Sequence, residues 1–253
     1  MQITAEFIQP LPSSTVLVLR EERGYPEVLM VLRKKNTSFG ASYVFPGGLV
    51  EKSDTKEEEE LNPQEKELFN KRMDIDEGGF AYYSAAIREL FEEAGILLCK
   101  YKNGNYPDRI DLDRYRDDLN SGVLDWNRFL RDHHLYMDIG NLIYFSYWIT
   151  PLMLSKRFTT RFFISRLPLN QIPSHCGDEV IDSRWINPRS ALIARRRKEI
   201  NIPHPTAITL MQIREFETID EILEWASKIS DEGVPCYFPQ LTASELRGDS
   251  PLE

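Results

Sequence analysis

Three acids, Glu89, Glu92 and Glu93, stand at i, i+3 and i+4, a spacing that puts all three on one face if the stretch is helical. The apolar residues Phe80, Tyr83, Ile87, Leu90, Phe91 and Ala94 recur every three or four positions, the period of a buried helical face. Like charges so close repel by roughly a few tenths of a kcal/mol per pair on an exposed helix. A dication reverses the sign of that interaction. Mg²⁺ takes carboxylate, water and phosphate oxygens in near-octahedral geometry. The chemistry expected is therefore a divalent ion, Mg²⁺ or Mn²⁺, held by Glu89, Glu92 and Glu93 against a diphosphate. Gly95 is placed to end the helix with a positive φ, and a strand is expected over Ile96-Leu97-Leu98.

On spacing alone, a solvated acidic helix face is the commoner explanation. The order Arg88-Glu89-Leu90-x-Glu92-Glu93-x-Gly95-Ile96, preceded by Phe45-Pro46-Gly47-Gly48, is more particular. It resembles the signature of the Nudix hydrolases, the family that cleaves nucleoside diphosphates linked to another moiety. The second half of that signature is matched at every fixed position. The first half departs from it. Asp54 stands where the pattern has Glu, with one methylene less of reach, and Arg88 follows Gly48 by 40 positions. That spacing implies an insertion of about 26 residues inside the motif.

The resemblance implies an α/β fold, a Nudix-type α/β/α sandwich with a mixed central β-sheet and added helices. It also implies one domain over residues 1–253, with an acidic insertion at about 51–80 and a helical cap at about 108–134. Catalytic roles fall to Glu93, Glu92, Arg88 and Glu179. Glu93 or Glu179 would orient or deprotonate the attacking water, and Arg88 would orient the acids, Glu92 lying four residues on. In the family a basic residue at the end of the second strand often contacts substrate phosphate, and Arg33 holds that place; a solvated strand end is the equal alternative. Gly47 and Gly48 allow backbone to approach an anionic ligand closely.

Composition agrees with a soluble globular chain: 253 residues, 42% hydrophobic, 28% charged. The net charge of −9 argues against a general nucleic-acid binder, which needs a basic footprint. No apolar run reaches the length of a bilayer span, and no secretory signal is recognisable. The cysteines Cys99, Cys176 and Cys236 form no C-x-x-C pair and read as reduced thiols of an intracellular, by default cytoplasmic, protein.

The elements that must position the acids follow in order. Thr15–Leu19 and Val28–Leu32 read as strands joined by a hairpin, their continuous apolarity suggesting a sheet covered on both faces. Tyr43–Phe45 reads as a short strand. Residues 51–80 hold eleven acids against five bases and read as a surface excursion, or as a lid over substrate. Within it, Asn62–Phe69 is a helix with Pro at its first turn. Helices are expected over Asp113–Leu119 and Val123–Asp132, the pair His133-His134 being structural or on the surface rather than metal-binding. A strand follows over Asn141–Ile149, then Arg184–Ile186, a helix from Pro188, two amphipathic helices over Pro205–Phe216 and Ile219–Ile229, and an edge strand near Val234–Pro239. Residues 244–253 read as a frayed polar end.

Lys156, Arg157 and Arg161 alternate with Phe158 and Phe162-Phe163. Alternation on a strand separates a basic face from an apolar one, and Arg157 and Arg161 on that face could receive phosphates. Trp148-Ile149-Thr150-Pro151, Lys156–Phe163 and Pro203–Phe216 are similar to the coenzyme A diphosphatase branch of the family, whose mammalian representative is peroxisomal and which also carries an insertion inside its motif. Thr159 stands where that branch has Asp. Coenzyme A or acyl-coenzyme A is then the leading substrate, yielding 3′,5′-ADP and 4′-phosphopantetheine or its acyl form. Nucleotide sugars, NADH, ADP-ribose and dinucleoside polyphosphates are alternatives, as is a non-catalytic nucleotide binder. The expected partner is thus a small coenzyme A-like nucleotide, with no nucleic acid and no membrane, and a homodimer left open. The chain ends Pro251-Leu252-Glu253 rather than on a Ser-Lys-Leu type peroxisomal address. In the region before Arg184, Glu179 is the candidate further carboxylate and Asp178 the runner-up, with His175-Cys176 beside them lacking a partner.

Overall fold

A computed structural model describes residues 8–35, 41–107, 112–175, 177 and 179–240. Strands β1 (Leu11–Glu22) and β2 (Tyr25–Arg33) form the expected hairpin, closed by Arg23 and Gly24 with φ of 53° and 80°. Two consecutive left-handed residues match the twist of a two-residue antiparallel turn. β3 (Tyr43–Val44) pairs with β2, and β4 (Gly47–Leu49) with β1. A 3-10 turn (Lys52–Glu60) and α1 (Pro63–Met73) lead into α2 (Gly79–Ala94), the helix of the acids. β5 (Cys99–Tyr101), α3 (Asp113–Asn120), α4 (Trp126–Asp132) and β6 (Leu135–Met137) follow, β5 and β6 making a small separate sheet. The chain returns through β7 (Ile143–Ile149), β8 (Phe158–Arg166) and β9 (Val180–Ile186), and ends in α5 (Pro188–Arg196), α6 (His204–Ile213), α7 (Ile219–Glu232) and β10 (Cys236–Tyr237).

The central sheet runs β10-β7-β8-β1-β2-β3, with β4 on β1 and β9 on β2. It is mixed: β1 lies parallel to β8 and antiparallel to β2. Both faces are covered. Val16, Val18, Leu29, Val31 and Phe163 pack under α2, against Ile87, Leu90 and Phe91. The intervening residues Leu17, Leu19, Val28, Met30 and Ile164 pack against Ala207, Leu210, Ile222 and Ala226 on α6 and α7. Alternation along one strand thus serves two cores, so β1 reads as continuously apolar. Among the described residues no helix is long and apolar enough to cross a membrane.

Three expectations change. Residues 96–98 form no strand; Leu97 instead exchanges two hydrogen bonds with the side chain of Gln171, which accepts from its amide at 2.8 Å and donates to its carbonyl at 2.9 Å. The acidic insertion is largely exposed, as a surface excursion would be, but it is also pinned to the core. Phe69 and Met73 of α1 are buried in the core under α2, Phe69 stacking edge-on to Phe80 and Tyr83, and Asp54 is fully buried. The insertion also interlocks with the cap, Asn127 donating to the Ser53 carbonyl at 2.8 Å and Lys56 pairing with Asp125 at 2.9 Å. The third change concerns β8. Lying inside the sheet with a layer on each side, it has no exposed basic face, and Arg157 and Arg161 are both buried. Arg157 donates to the carbonyls of Thr150 and Ile8, at 3.1 and 2.6 Å. Arg161 donates to Met73 at 2.7 Å and lies over the ring of Tyr147, 3.4 Å from its centroid. Thr159, at the start of the strand, reaches the Leu11 carbonyl at 3.5 Å. His133 packs against Tyr115 and Phe129, whereas His134 is exposed.

Candidate active site

α2 is held by its apolar flank, and the opposite flank carries the acids toward β4 and the end of β2. Gly95 ends the helix at φ 68°, its amide donating to the Phe91 carbonyl at 2.8 Å, as expected for a left-handed cap.

Arg88 organises this flank. It is buried, and its Nη1 donates to Glu89 Oε1 and to Glu92 Oε2, each at 3.0 Å. Its Nε and Nη2 take the two oxygens of Asp54, and Nη2 also reaches the Leu49 carbonyl at 2.8 Å. Asp54 accepts further from Ser84 Oγ at 3.2 Å and from the Glu51 amide at 2.8 Å. The residue standing in for the motif's first Glu therefore anchors the arginine that holds two of the acids. These carboxylates drive the Arg88 pKa upward against its burial.

Glu93 is held separately. Arg33 pairs with its Oε1, and the Gly47 amide donates to its Oε2 at 2.9 Å. Arg33 also reaches the Gly47 carbonyl at 3.2 Å and Glu179 at 3.6 Å. Arg33 thus clamps an acid and the glycine loop. Glu179 lies at the rim with its side chain two-thirds exposed. Asp178 and Cys176 lie outside the described residues, as do residues 244–253. Gly48 lies against Glu89 so closely that a Cβ built there would overlap the end of that side chain. The phosphate-binding arginines expected at 157 and 161 are not in this assembly; among the described residues no ion pair joins either to an acid.

The three acids share one flank but are turned onto guanidiniums, and among the described residues no group of three His, Cys, Asp or Glu side chains is gathered closely enough to hold a metal ion. The chemistry of the set nevertheless suits a dication. Asp54, Glu89, Glu92 and Glu93 bring four carboxylates against the guanidiniums of Arg33 and Arg88. Four carboxylates on two guanidiniums leave a formal excess of two negative charges in a buried place, which is costly. The cost shows in the titration: burial pushes Glu89 upward and raises Glu92 and Glu93 to about 7. A hard divalent cation with oxygen ligands supplies the missing charge.

Comparison with known proteins agrees with this geometry. A family model, the NUDT19 Nudix domain, matches residues 59–213. Acyl-coenzyme A diphosphatase NUDT19 of Xenopus laevis is 26% identical over 257 residues, covering 87% of this chain and 68% of that protein. Putative nudix hydrolase 7 of Caenorhabditis elegans is 27% identical over 219 residues, 84% of this chain and 61% of that protein. The chain thus spans about two thirds of the length of these curated relatives. A crystal structure of a NUDIX hydrolase from Alicyclobacillus acidocaldarius superposes with a TM-score of 0.66 over 85% of this chain and 96% of that one, at 24% identity. It shares the fold.

Proposed function

The chain belongs to the Nudix hydrolase family, in the group of the NUDT19 Nudix domain, and from that premise we propose that it hydrolyses the phosphoanhydride of coenzyme A or acyl-coenzyme A. The products would be 3′,5′-ADP and 4′-phosphopantetheine or its acyl form. The observation that carries the reading is the buried excess of two negative charges along α2, beside a glycine loop and with the acids held in place by Arg88 and Arg33. The relative from Xenopus laevis, named for an acyl-coenzyme A diphosphatase, supports the substrate class.

Nudix hydrolases work with divalent metal; here Glu89, Glu92 and Glu93 would hold Mg²⁺ or Mn²⁺. When bound, such an ion would supply charge neutralisation for a diphosphate and a more acidic water. Arg88 keeps Glu89 and Glu92 in one orientation through a single nitrogen, and Arg33 with the Gly47 amide fixes Glu93. Either Glu93 or Glu179 takes the proton of the attacking water. An intracellular, by default cytoplasmic, setting belongs to the same reading, and a homodimer remains compatible with it.

The test is a product-resolved assay with Mg²⁺ and with Mn²⁺ on coenzyme A, acyl-coenzyme A, NADH, ADP-ribose, nucleotide sugars and dinucleoside polyphosphates. Release of 3′,5′-ADP from coenzyme A, abolished by chelation, is expected. Faster turnover of another nucleotide would overturn the substrate, and binding with no cleavage of any would overturn the enzyme.

A further inference from the structure

The last turn of α2 carries Glu92 and Glu93 and ends in carbonyls that no further helical turn takes up. The helical cap supplies partners for them. Arg116 of α3 is buried, and its Nε donates to the Glu92 carbonyl at 2.9 Å. Asn120, one turn further along α3, reaches the same oxygen at 3.4 Å. The Ala94 carbonyl accepts from the Ser174 amide at 2.9 Å, and Ser174 Oγ accepts from Arg116 Nη1 at 2.8 Å. A cation at this end also complements the helix dipole. One guanidinium thus joins α3, the end of α2 and the segment that leads from β8 toward Glu179.

The cap holds the acid network at two more places. The ring of Phe91, the residue before Glu92, stacks on Phe129 of α4 with 5.7 Å between centroids. Asn127 of α4 is fully buried and donates to the carbonyl of Ser53, the residue before Asp54, at 2.8 Å. Asp54 is the anchor of Arg88, and Arg88 holds Glu89 and Glu92. Buried, directional hydrogen bonds from the cap therefore end on the backbone of both segments that carry this network.

Metal-binding side chains must be held within about 0.5 Å of their working geometry by the groups behind them. Resting on the function proposed above, we propose that the cap is a clamp that sets the geometry of the metal-binding acids, with Arg116 and Asn127 as positioning residues. Arg116 acts on Glu92 and Glu93 through the backbone of their turn. Asn127 acts on Glu89 and Glu92 through Asp54 and Arg88. Neither touches the reacting atoms.

The experiment measures Mn²⁺ affinity of the metal-free protein by electron paramagnetic resonance, and kcat and KM for coenzyme A with Mn²⁺. It compares the wild type with Arg116→Ala, Arg116→Lys and Asn127→Leu, and with Arg128→Ala, an exposed residue of α4, as the control. Arg116→Ala and Asn127→Leu should each weaken Mn²⁺ binding and lower kcat by about tenfold or more. KM for coenzyme A should stay as in the wild type, and Arg128→Ala should match the wild type throughout. Arg116→Lys keeps the charge but not the planar fork, so it should recover only part of the loss. Free guanidinium ion should restore part of the Mn²⁺ affinity of Arg116→Ala. Should Arg116→Ala not fold, Arg116→Lys and Asn127→Leu carry the comparison.

A cap that only stabilises the fold would lower the melting temperature and leave Mn²⁺ affinity and kcat of the folded variants at wild-type values. That result in the Arg116 and Asn127 variants, with the wild type cleaving coenzyme A, overturns the clamp alone. A wild type that binds Mn²⁺ and cleaves no nucleotide overturns the proposed function, and the Mn²⁺ affinities of the variants still decide the clamp. A wild type that binds no Mn²⁺ overturns both.

Discussion

The guanidinium of Arg88 grips the carboxylate of Asp54 with two hydrogen bonds of 3.0 Å, Nε to one oxygen and Nη2 to the other, across 34 positions of chain. Asp54 has no exposed surface and Arg88 almost none. Replacing one partner of such a pair leaves the other buried and uncompensated. Asp54→Asn is therefore expected to lower the unfolding free energy by about 3 kcal/mol and to reduce turnover as Glu89 and Glu92 lose their fixed orientation. Urea denaturation of the metal-free protein measures the first effect. A loss under about 1 kcal/mol, the scale of a surface pair, would mean that the pair is not the anchor described.

Glu92 separates function from stability. Burial raises its pKa to about 7, so Glu92→Gln removes charge from a crowded place. The metal-free variant should melt at or above the wild-type temperature at pH 8. Turnover should fall by roughly 100-fold or more, since a charged metal ligand is gone, and Mg²⁺ should raise its melting temperature less than in the wild type. Melting curves with and without Mg²⁺ check both halves. Wild-type rates in the variant at saturating Mg²⁺ would falsify the metal role.

The same burial sets a pH dependence for the metal-free protein. Glu92 and Glu93 titrate near 7 when folded, against an ordinary value of 4.5. The folded state therefore binds their protons more tightly than the unfolded state. The stability they contribute is complete below pH 4.5 and is lost as the pH rises toward 7. In chelator, melting temperature corrected for other groups by the Glu92→Gln background should fall across that window. Stabilisation by added Mg²⁺ should grow over the same range, because the ion binds the ionised carboxylates. A flat difference between wild type and variant from pH 4.5 to 7 would contradict the buried-charge account.

Much of this site was legible in the chain, and the reason is range. The acids, Arg88 and the Gly95 cap lie within one helix, where period and spacing determine which side chains share a face. Arg88 to Glu92 is an i, i+4 pair and was expected as such. The Arg33–Glu93 pair joins residues 60 apart, and nothing in either segment announces it. Leu97 was misread because its strand-like bonds come from a side chain, Gln171, 74 residues on. Arg157 and Arg161 were misread for a related reason. Alternation tells which residues share a strand face but not whether another layer covers that face. The cover here includes α1 of the insertion, the segment hardest to place from its charges.

Gly48 offers the most local test of the loop. A methyl group at this position would overlap the Glu89 carboxylate, and Glu89 cannot retreat freely because Arg88 Nη1 holds it at 3.0 Å. Gly48→Ala should therefore displace Glu89 rather than unfold the chain. A shift of about 1 Å at such a group can cost roughly 100-fold in rate. The expected outcome is a large drop in kcat with a melting temperature within a few degrees of the wild type, together with weaker activation by Mn²⁺ or Mg²⁺ in a metal titration. Full activity at unchanged metal affinity would mean that the glycine loop does not set the position of Glu89.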